Sequence, residues 1–567
     1  MEKLKTAQYF HGVEGTHRRA AYKGMGFTDD DMKKPLVAVV NTPSEVCPGH
    51  FHLRQVADAV KAGVWQAGGT PMEFTSISQC ATPSLGLASM RYDLPARDLL
   101  AFDIETIVET QIFDAVVVVV TCDKTIPGAL MAAARLDMPF IVVPGGIMAV
   151  GRHEGKPVSL ADLDEKVWGA FQMGKVSADD ILCLEDEVCP GPGACPILGT
   201  ANTMQCLVEA VGMAMPGAGT CYAMSGEQLR LAKLAGNKVM DMVAARVTAR
   251  KIMTQDALEN MIRTQMTIGG STNAVLHILA IAHELGLGMR IDLDLIDAFS
   301  DTTPCLVDVT PTGRYYLPDL HRAGGVPKIL EALEAELHLD APTVTGMTIG
   351  ELIDVAKKRK IGDPLQVIRP RTDPVADTGG IAILRGNLAP LGSVARRLNN
   401  TIPEHTGPAR CFDCQEDAIA GINSGKVVEG DVVVVRHAGP KGAPGMPDTY
   451  AVLASVVGRG LEGKVAVVTD GRFSGFARGL GVCQISPEAA IGGPLAVIRD
   501  GDMIRISMPK RELTLLVDDL EERLKRWRRP APRETRGMLA LYATNAQPAW
   551  KGARLAMYEE EATSERR

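Results

Sequence analysis

From Leu36 to about Gly350, short apolar runs alternate with longer segments whose apolar positions recur at helical spacing. The pattern centres on Val116 to Gly146. Five consecutive valines, Val116 to Val120, predict a strand buried on both faces, as in a parallel sheet. Pro127 and Gly128 then lead into an alanine-rich helix, and Met138 to Val143 is a second apolar run, so the stretch predicts a β-α-β unit. Pro35 to Asn41 and Met72 to Ser78 read as further strands, and His52 to Ala67 as a helix between them. Ala201 to Met215 predicts another helix, and Thr254 an N-cap for a helix carrying Leu258, Met261 and Ile262 on one face. Gly269 to Asn273 forms a loop feeding an apolar helix that ends near Leu285. Alternation of this kind predicts a layered α/β domain with a parallel sheet.

The character changes between Lys357 and Thr378, where the chain is charged and proline-bearing, as a domain linker is. The boundary is drawn there, with one domain over 1–365 and a second over 366–567. In the second, Ile381–Leu384, Val427–Arg436, Lys464–Thr469, Pro494–Ile498 and Met503–Ile506 read as strands separated by glycine-rich turns, with few helices between them. A compact β-barrel accounts for this most simply.

The net charge of -8 and pI near 5.9 argue against nucleic acid or an anionic membrane as partner. The basic segment Lys525 to Arg536 reads as a solvated helix end whose cations complement the dipole. No apolar run approaches the length of a membrane span, and the N-terminus lacks the apolar core of a secretory signal, so a cytoplasmic location is expected. Twelve cysteines in 567 residues are too sparse for a disulfide scaffold; metal binding or burial is the expected use.

Candidate chemistry gathers at chain turns. The valine run ends in Cys122-Asp123-Lys124, a soft thiol, a hard carboxylate and an amine side by side, at the end of a strand where open α/β sheets keep their ligands. Cys47 in EVCPGHFHL and Cys195 in GPGACPILG are likewise flanked by glycine or proline, and the three cysteines lie 75 and 73 residues apart. That spacing is no zinc-finger signature, but thiols brought by separate loops suit an iron–sulfur cluster with an incomplete cysteine shell. Cys411-x-x-Cys414 lacks a second ligand pair and reads as structural; Cys189 reads as a neighbouring thiol, and Cys80 and the remaining cysteines need no special role. Two glycine-rich loops stand out in the second half, RHAGPKGAPGMPD ending at Asp448 and TDGRFSGFARG presenting Ser474. Neither has the order of a phosphate-binding P-loop or of a hydrolase nucleophile elbow.

Together TCDKTIPGALMA, GACPILGTANTM, GGSTNAVLH, GGIAILRGNLAP, HAGPKGAPGMPD, TDGRFSGFARGLGVCQISPEAAIGGPLA and DGDMIRI resemble the dihydroxy-acid and sugar-acid dehydratase family along essentially the whole chain. The resemblance implies an α/β N-terminal domain and a C-terminal β-barrel of the aconitase-like swivelling type. It implies that Cys47, Cys122 and Cys195 hold a [2Fe–2S] cluster with one iron open, and that Asp123, Lys124 as a carbamate, and Asp448 bind Mg²⁺. It makes Ser474, as alkoxide, the base that removes the C2 proton of a 2,3-dihydroxy acid, giving a 2-keto acid. It also implies a small hydroxy-acid substrate and a homodimer or homotetramer.

The chain departs from the family pattern in several places. Val46-Cys47-Pro48 replaces the usual Pro-Cys-Asn, Gln79 stands where an acid is expected after the strand ending near Ile77, and Asp448 is one methylene shorter than the usual glutamate. Tyr542 to Leu555 differs from the ending of the branched-chain biosynthetic enzymes. A hydro-lyase acting on a dihydroxy acid is therefore the leading expectation, with an aldonate dehydratase as its alternative. A non-catalytic iron–sulfur sensor would not require Ser474 or Asp123-Lys124, and a zinc hydrolase would require a histidine motif such as HExxH, which is absent.

Overall fold

In the computed structural model, which describes residues 4–398, 402–475 and 478–556, the apolar runs of the first half pair as four parallel strands. These are β1 (Leu36–Asn41), β2 (Thr70–Thr75), β3 (Ala115–Val120) and β4 (Phe140–Pro144), in spatial order β2-β1-β3-β4. The valine strand is internal, flanked by β1 and β4, and wholly buried, as a strand covered on both faces must be. Helices Leu53–Gln66 and Gly226–Ala245 pack on each other and on the sheet, and Thr125–Leu136 packs on the sheet and on Pro95–Gln111. The small hairpin β5 (Gly151–His153) and β6 (Lys156–Val158) follows β4. Because β1, β2 and β3 are parallel, the loops after them all emerge from one edge of the sheet.

The second half closes into an eight-stranded barrel, in the order β10-β11-β12-β8-β7-β14-β13-β9. Its strands are β7 (Ile381–Gly386), β8 (Ala389–Arg396), β9 (Glu404–Phe412), β10 (Val432–Val435), β11 (Ala466–Thr469), β12 (Gly481–Cys483), β13 (Met503–Ser507) and β14 (Glu512–Leu516). Leu384, Val434, Val468 and Leu513 are among the residues of its interior cluster.

Few helices interrupt the barrel strands, as expected: Gln415–Asn423 and Tyr450–Gly458 lie between them because β9, β10 and β11 are parallel and parallel neighbours need a crossover. The structure corrects two expectations. Pro494–Ile498 is not a strand; Pro494–Val497 is a 3-10 turn packed beside the barrel. The helix expected over Ala201–Met215 runs over Thr200–Ala210 and stops at Gly212, whose φ of 83° is left-handed. Met213 then extends along the sheet, where its carbonyl accepts from the Val142 N–H at 2.9 Å. Thr254 caps the helix Gln255–Thr267 as expected, its side chain accepting from the Ala257 N–H.

Candidate active site

Three loops leave the C-terminal ends of β1, β2 and β3 and each carries a cysteine to the same place. Cys47, Cys80 and Cys122 have sulfurs all within 4.8 Å of one another, and the Cys47 and Cys122 sulfurs are 3.6 Å apart. Gly49 makes this approach possible, since a Cβ there would lie 2.7 Å from the Cys122 sulfur. His50 locks the arrangement from behind: its Nδ1 lies 2.7 Å from the Thr42 carbonyl oxygen, and its Nε2 accepts from the Cys122 N–H at 3.2 Å. Burial holds the His50 pKa down at about 4, so the ring is neutral and can play both roles. Within the triad, hydrogen bonds from Cys122 and Cys47 push the Cys80 thiol well below its ordinary range. Cys122 is pushed up by Cys47, by Cys80 and by burial.

Beside the thiols lies a charged cluster built from both halves of the chain. Lys124, fully buried, has its Nζ 2.9 Å from Asp93 and in hydrogen-bond contact with Asp123. Arg472, from the loop after β11, pairs with the same Asp93 oxygen and approaches Asp448 at 4.0 Å. Burial pushes Asp448 up to about 6 against the pull of Arg472, whereas Lys124 and Arg472 overcome the burial of Asp93 and hold it below the usual carboxylate range. Asp448 also accepts from the Tyr450 N–H at 2.9 Å and faces the Asn273 amide at 3.5 Å. Three carboxylates thus face two cations in a largely buried site, an imbalance of one negative charge. The Asp93 Oδ1 and Asn273 Oδ1 atoms are buried without a hydrogen-bond partner among the described residues. That donor set fits a hard divalent cation.

Ser474 arrives from the barrel side. The Thr272 hydroxyl donates to the Phe473 carbonyl at 3.3 Å, and Arg396 donates to the carbonyls of Gly475 and Gly269, which pins the loop on both sides of the serine. Gly475 packs so close that a Cβ would lie 2.9 Å from the Gly199 Cα. Gly199 is the N-cap of the Thr200–Ala210 helix, Ser271 that of Thr272–Glu284 and Lys124 that of Thr125–Leu136. Three helix N-termini therefore lie at or beside the cavity that Ser474 lines, and their dipoles favour negative charge there. The Thr200 and Ser271 hydroxyls are 2.8 Å apart and tie two of these helix ends together.

One cavity unites these parts. Its wall includes Cys80, Cys122, Asp123, Cys195, Asn273, Asp448 and Ser474, with an apolar side of Leu85, Met90, Met148, Leu160 and Ile197. Of the residues singled out from the sequence, Cys122, Asp123, Cys195, Asp448 and Ser474 line it directly; Cys47 lies behind Cys122, and Lys124 beneath Asp123. Cys195 is not part of the mutual thiol set.

Sequence reasoning passed over Cys80, Asp93, Asp164 and Arg472. The signal for Cys80 was its place, just beyond a strand parallel to the two whose following loops carry Cys47 and Cys122. Asp164 lines the cavity near Leu160, and burial, aided by Glu165, pushes it up to about 7. Cys189, expected to be a bystander, lines the cavity as well. Cys411 and Cys414 belong to no group of metal-ligating side chains among the described residues. Among those residues no helix is long and apolar enough to cross a membrane.

Residues 34–352 match the family model described as dihydroxy-acid/6-phosphogluconate dehydratase N-terminal, and residues 366–553 match its C-terminal counterpart. The chain is 44% identical over 549 residues to a dihydroxy-acid dehydratase of Acetivibrio thermocellus, covering 96% of this chain and 98% of that relative. Enzymes of the same name from Syntrophobacter fumaroxidans, 46% identical over 94% of this chain and 95% of theirs, and from Pyrococcus abyssi, 44% identical over 96% and 98%, are similarly close.

Proposed function

Because the chain belongs to the dihydroxy-acid/6-phosphogluconate dehydratase family and is a hydro-lyase, we propose that it removes water from a 2,3-dihydroxy carboxylic acid to give a 2-keto acid, with Ser474 as the base. The observation that carries this reading is the meeting in one cavity of a serine from the barrel, carboxylates from both halves and thiols from the sheet edge. Residues 1–365 supply the thiols, Asp123 and Lys124, and residues 366–567 supply Asp448 and Ser474.

Each part has a role set by its chemistry. Buried thiols at 3.6 Å fit a thiolate-ligated iron–sulfur group, which we take to be a [2Fe–2S] cluster held by Cys47, Cys122 and Cys195. The partnerless Asp93 Oδ1 and the excess carboxylate fit Mg²⁺, held by Asp123 and Asp448. Lys124 joins that set once its amine is converted to a carbamate; as an ammonium between Asp93 and Asp123 it neutralises them instead. When bound, these groups supply the Lewis acidity that turns the C3 hydroxyl into a leaving group and acidifies the C2 proton.

The chain's own residues do the rest. Ser474, ionised with the help of the helix N-termini at the cavity, takes the C2 proton as the C3 hydroxyl departs, and the C2–C3 double bond forms from the C–H pair. The resulting enol gains a proton at C3 and becomes the 2-keto acid. The helix ends at the cavity would face the substrate carboxylate with positive potential. The apolar wall of Leu85, Met90 and Met148 takes an aliphatic substituent, which favours a branched-chain dihydroxy acid over an aldonate.

The test is an anaerobic 2-keto acid assay on reconstituted protein with Mg²⁺, offering 2,3-dihydroxyisovalerate, a pentonate, a hexonate and glycerate. Turnover should be fastest on the branched acid and should fall about 10²–10⁴-fold in Ser474→Ala. No turnover on any of them with the group loaded would overturn the reading.

A further inference from the structure

The ligand set that the family resemblance implies leaves out Cys80, yet the fold brings its sulfur into the thiol cluster. At a metal–sulfur bond of about 2.3 Å, two thiolates on one tetrahedral metal lie roughly 3.8 Å apart. The Cys47 and Cys122 sulfurs already stand at 3.6 Å, and Cys80 is within 4.8 Å of both. Those separations put the Cys80 sulfur within ligand reach of a group held by Cys47 and Cys122. Cys80 is delivered by the loop after β2, as Cys47 and Cys122 are by the loops after β1 and β3, so one sheet edge presents all three.

We propose that Cys80 is a direct thiolate ligand of the iron–sulfur group, bound together with Cys47 and Cys122. The proposal rests on the iron–sulfur part of the reading above. Each thiol binds after losing its proton, and no electron transfer is involved. Cys195 stands on the wall of the same cavity, so Cys80 adds a fourth thiol to the three that the resemblance implies. In a group held by Cys47, Cys122 and Cys195, Cys80 would supply a fourth thiolate and would have to be displaced for a substrate oxygen to bind there.

The experiment compares wild type, Cys80→Ser, Cys47→Ser as a positive control and Cys183→Ser as an exposed control, each reconstituted anaerobically. Iron and sulfide per chain, the visible thiolate-to-iron charge-transfer bands and the electron paramagnetic resonance of the reduced protein are read out. Exchange of sulfur for oxygen at Cys80 should shift the bands and g-values as at Cys47, and iron should be lost to a chelator at least about 10-fold faster than in wild type. Spectra and retention of Cys80→Ser superimposable on wild type, with Cys47→Ser altered, would overturn the proposal and leave the dehydratase reading standing. A mass two hydrogens lower for the unreduced loaded protein, mapping to a Cys80 disulfide, would also overturn it. Wild type that takes up neither iron nor sulfide would remove the iron–sulfur assignment itself.

Discussion

Asp93 and Arg472, 379 residues apart in sequence, form a wholly buried ion pair that joins the sheet half of the molecule to the barrel half. Asp93 stands ahead of the Pro95–Gln111 helix and Arg472 two residues before Ser474, so the pair sets the position of the serine relative to the thiols. Removing Asp93 takes the near partner from both Arg472 and Lys124 and leaves Arg472 with only the Asp448 carboxylate, 4.0 Å away. Asp93→Ala should therefore destabilise the protein by about 3–5 kcal/mol, read as a fall in the denaturant midpoint. A midpoint shift equivalent to under ~1 kcal/mol would show that the pair does not join the halves.

Gly49 leaves room for the Cys122 sulfur, so Gly49→Ala pushes a methyl group into the thiol cluster. Its circular dichroism should match wild type while iron retention against a chelator drops by about 10–100-fold. Iron retained as in wild type would show that the thiols need no such clearance.

The architecture was largely legible in the sequence because its strands are buried on both faces and so read as continuous apolar runs, β3 above all. The barrel was harder. β14 alternates burial and is short, β12 has three residues, and the crossover helices followed from parallel pairing that no local pattern reveals. The glycine loops around Asp448 and Ser474 were visible as loops, and both reach the cavity. Cys80 and Asp93 were not visible, because nothing beside them in sequence marks them. Their meaning comes from what the fold places opposite: two other sulfurs in one case, Lys124 and Arg472 in the other.

Arg396 is a positioning residue: buried, it donates to the Gly269 carbonyl at 2.8 Å and to that of Gly475, next to Ser474. Arg396→Met should loosen the serine loop and lower kcat about 10²-fold with little change in KM, as small misplacements of a reacting group do. A rise in KM at unchanged kcat would place the residue in substrate binding instead.

Glu209, outside the cavity lining, accepts from the Gly217 and Gly219 N–H groups at 2.7 Å, yet burial still pushes it up to about 7. Its folded pKa lies above the unfolded value near 4.5, so its contribution to stability is fully present below about pH 4.5 and is lost as pH rises through 7. Between pH 5 and 8 wild type should lose up to about 3 kcal/mol relative to Glu209→Gln. Parallel stability curves for the two proteins over that range would contradict this.

The most direct test of Ser474 as the base uses 2,3-dihydroxyisovalerate carrying deuterium at C2, with anaerobically reconstituted enzyme and Mg²⁺. Under single-turnover conditions, 2-keto acid formation should be slower from the deuterated acid in wild type. In Ser474→Ala it should be nearly abolished for both acids at unchanged iron content. A Ser474→Ala enzyme that forms the 2-keto acid at the wild-type rate, with the same isotope effect, would contradict the account.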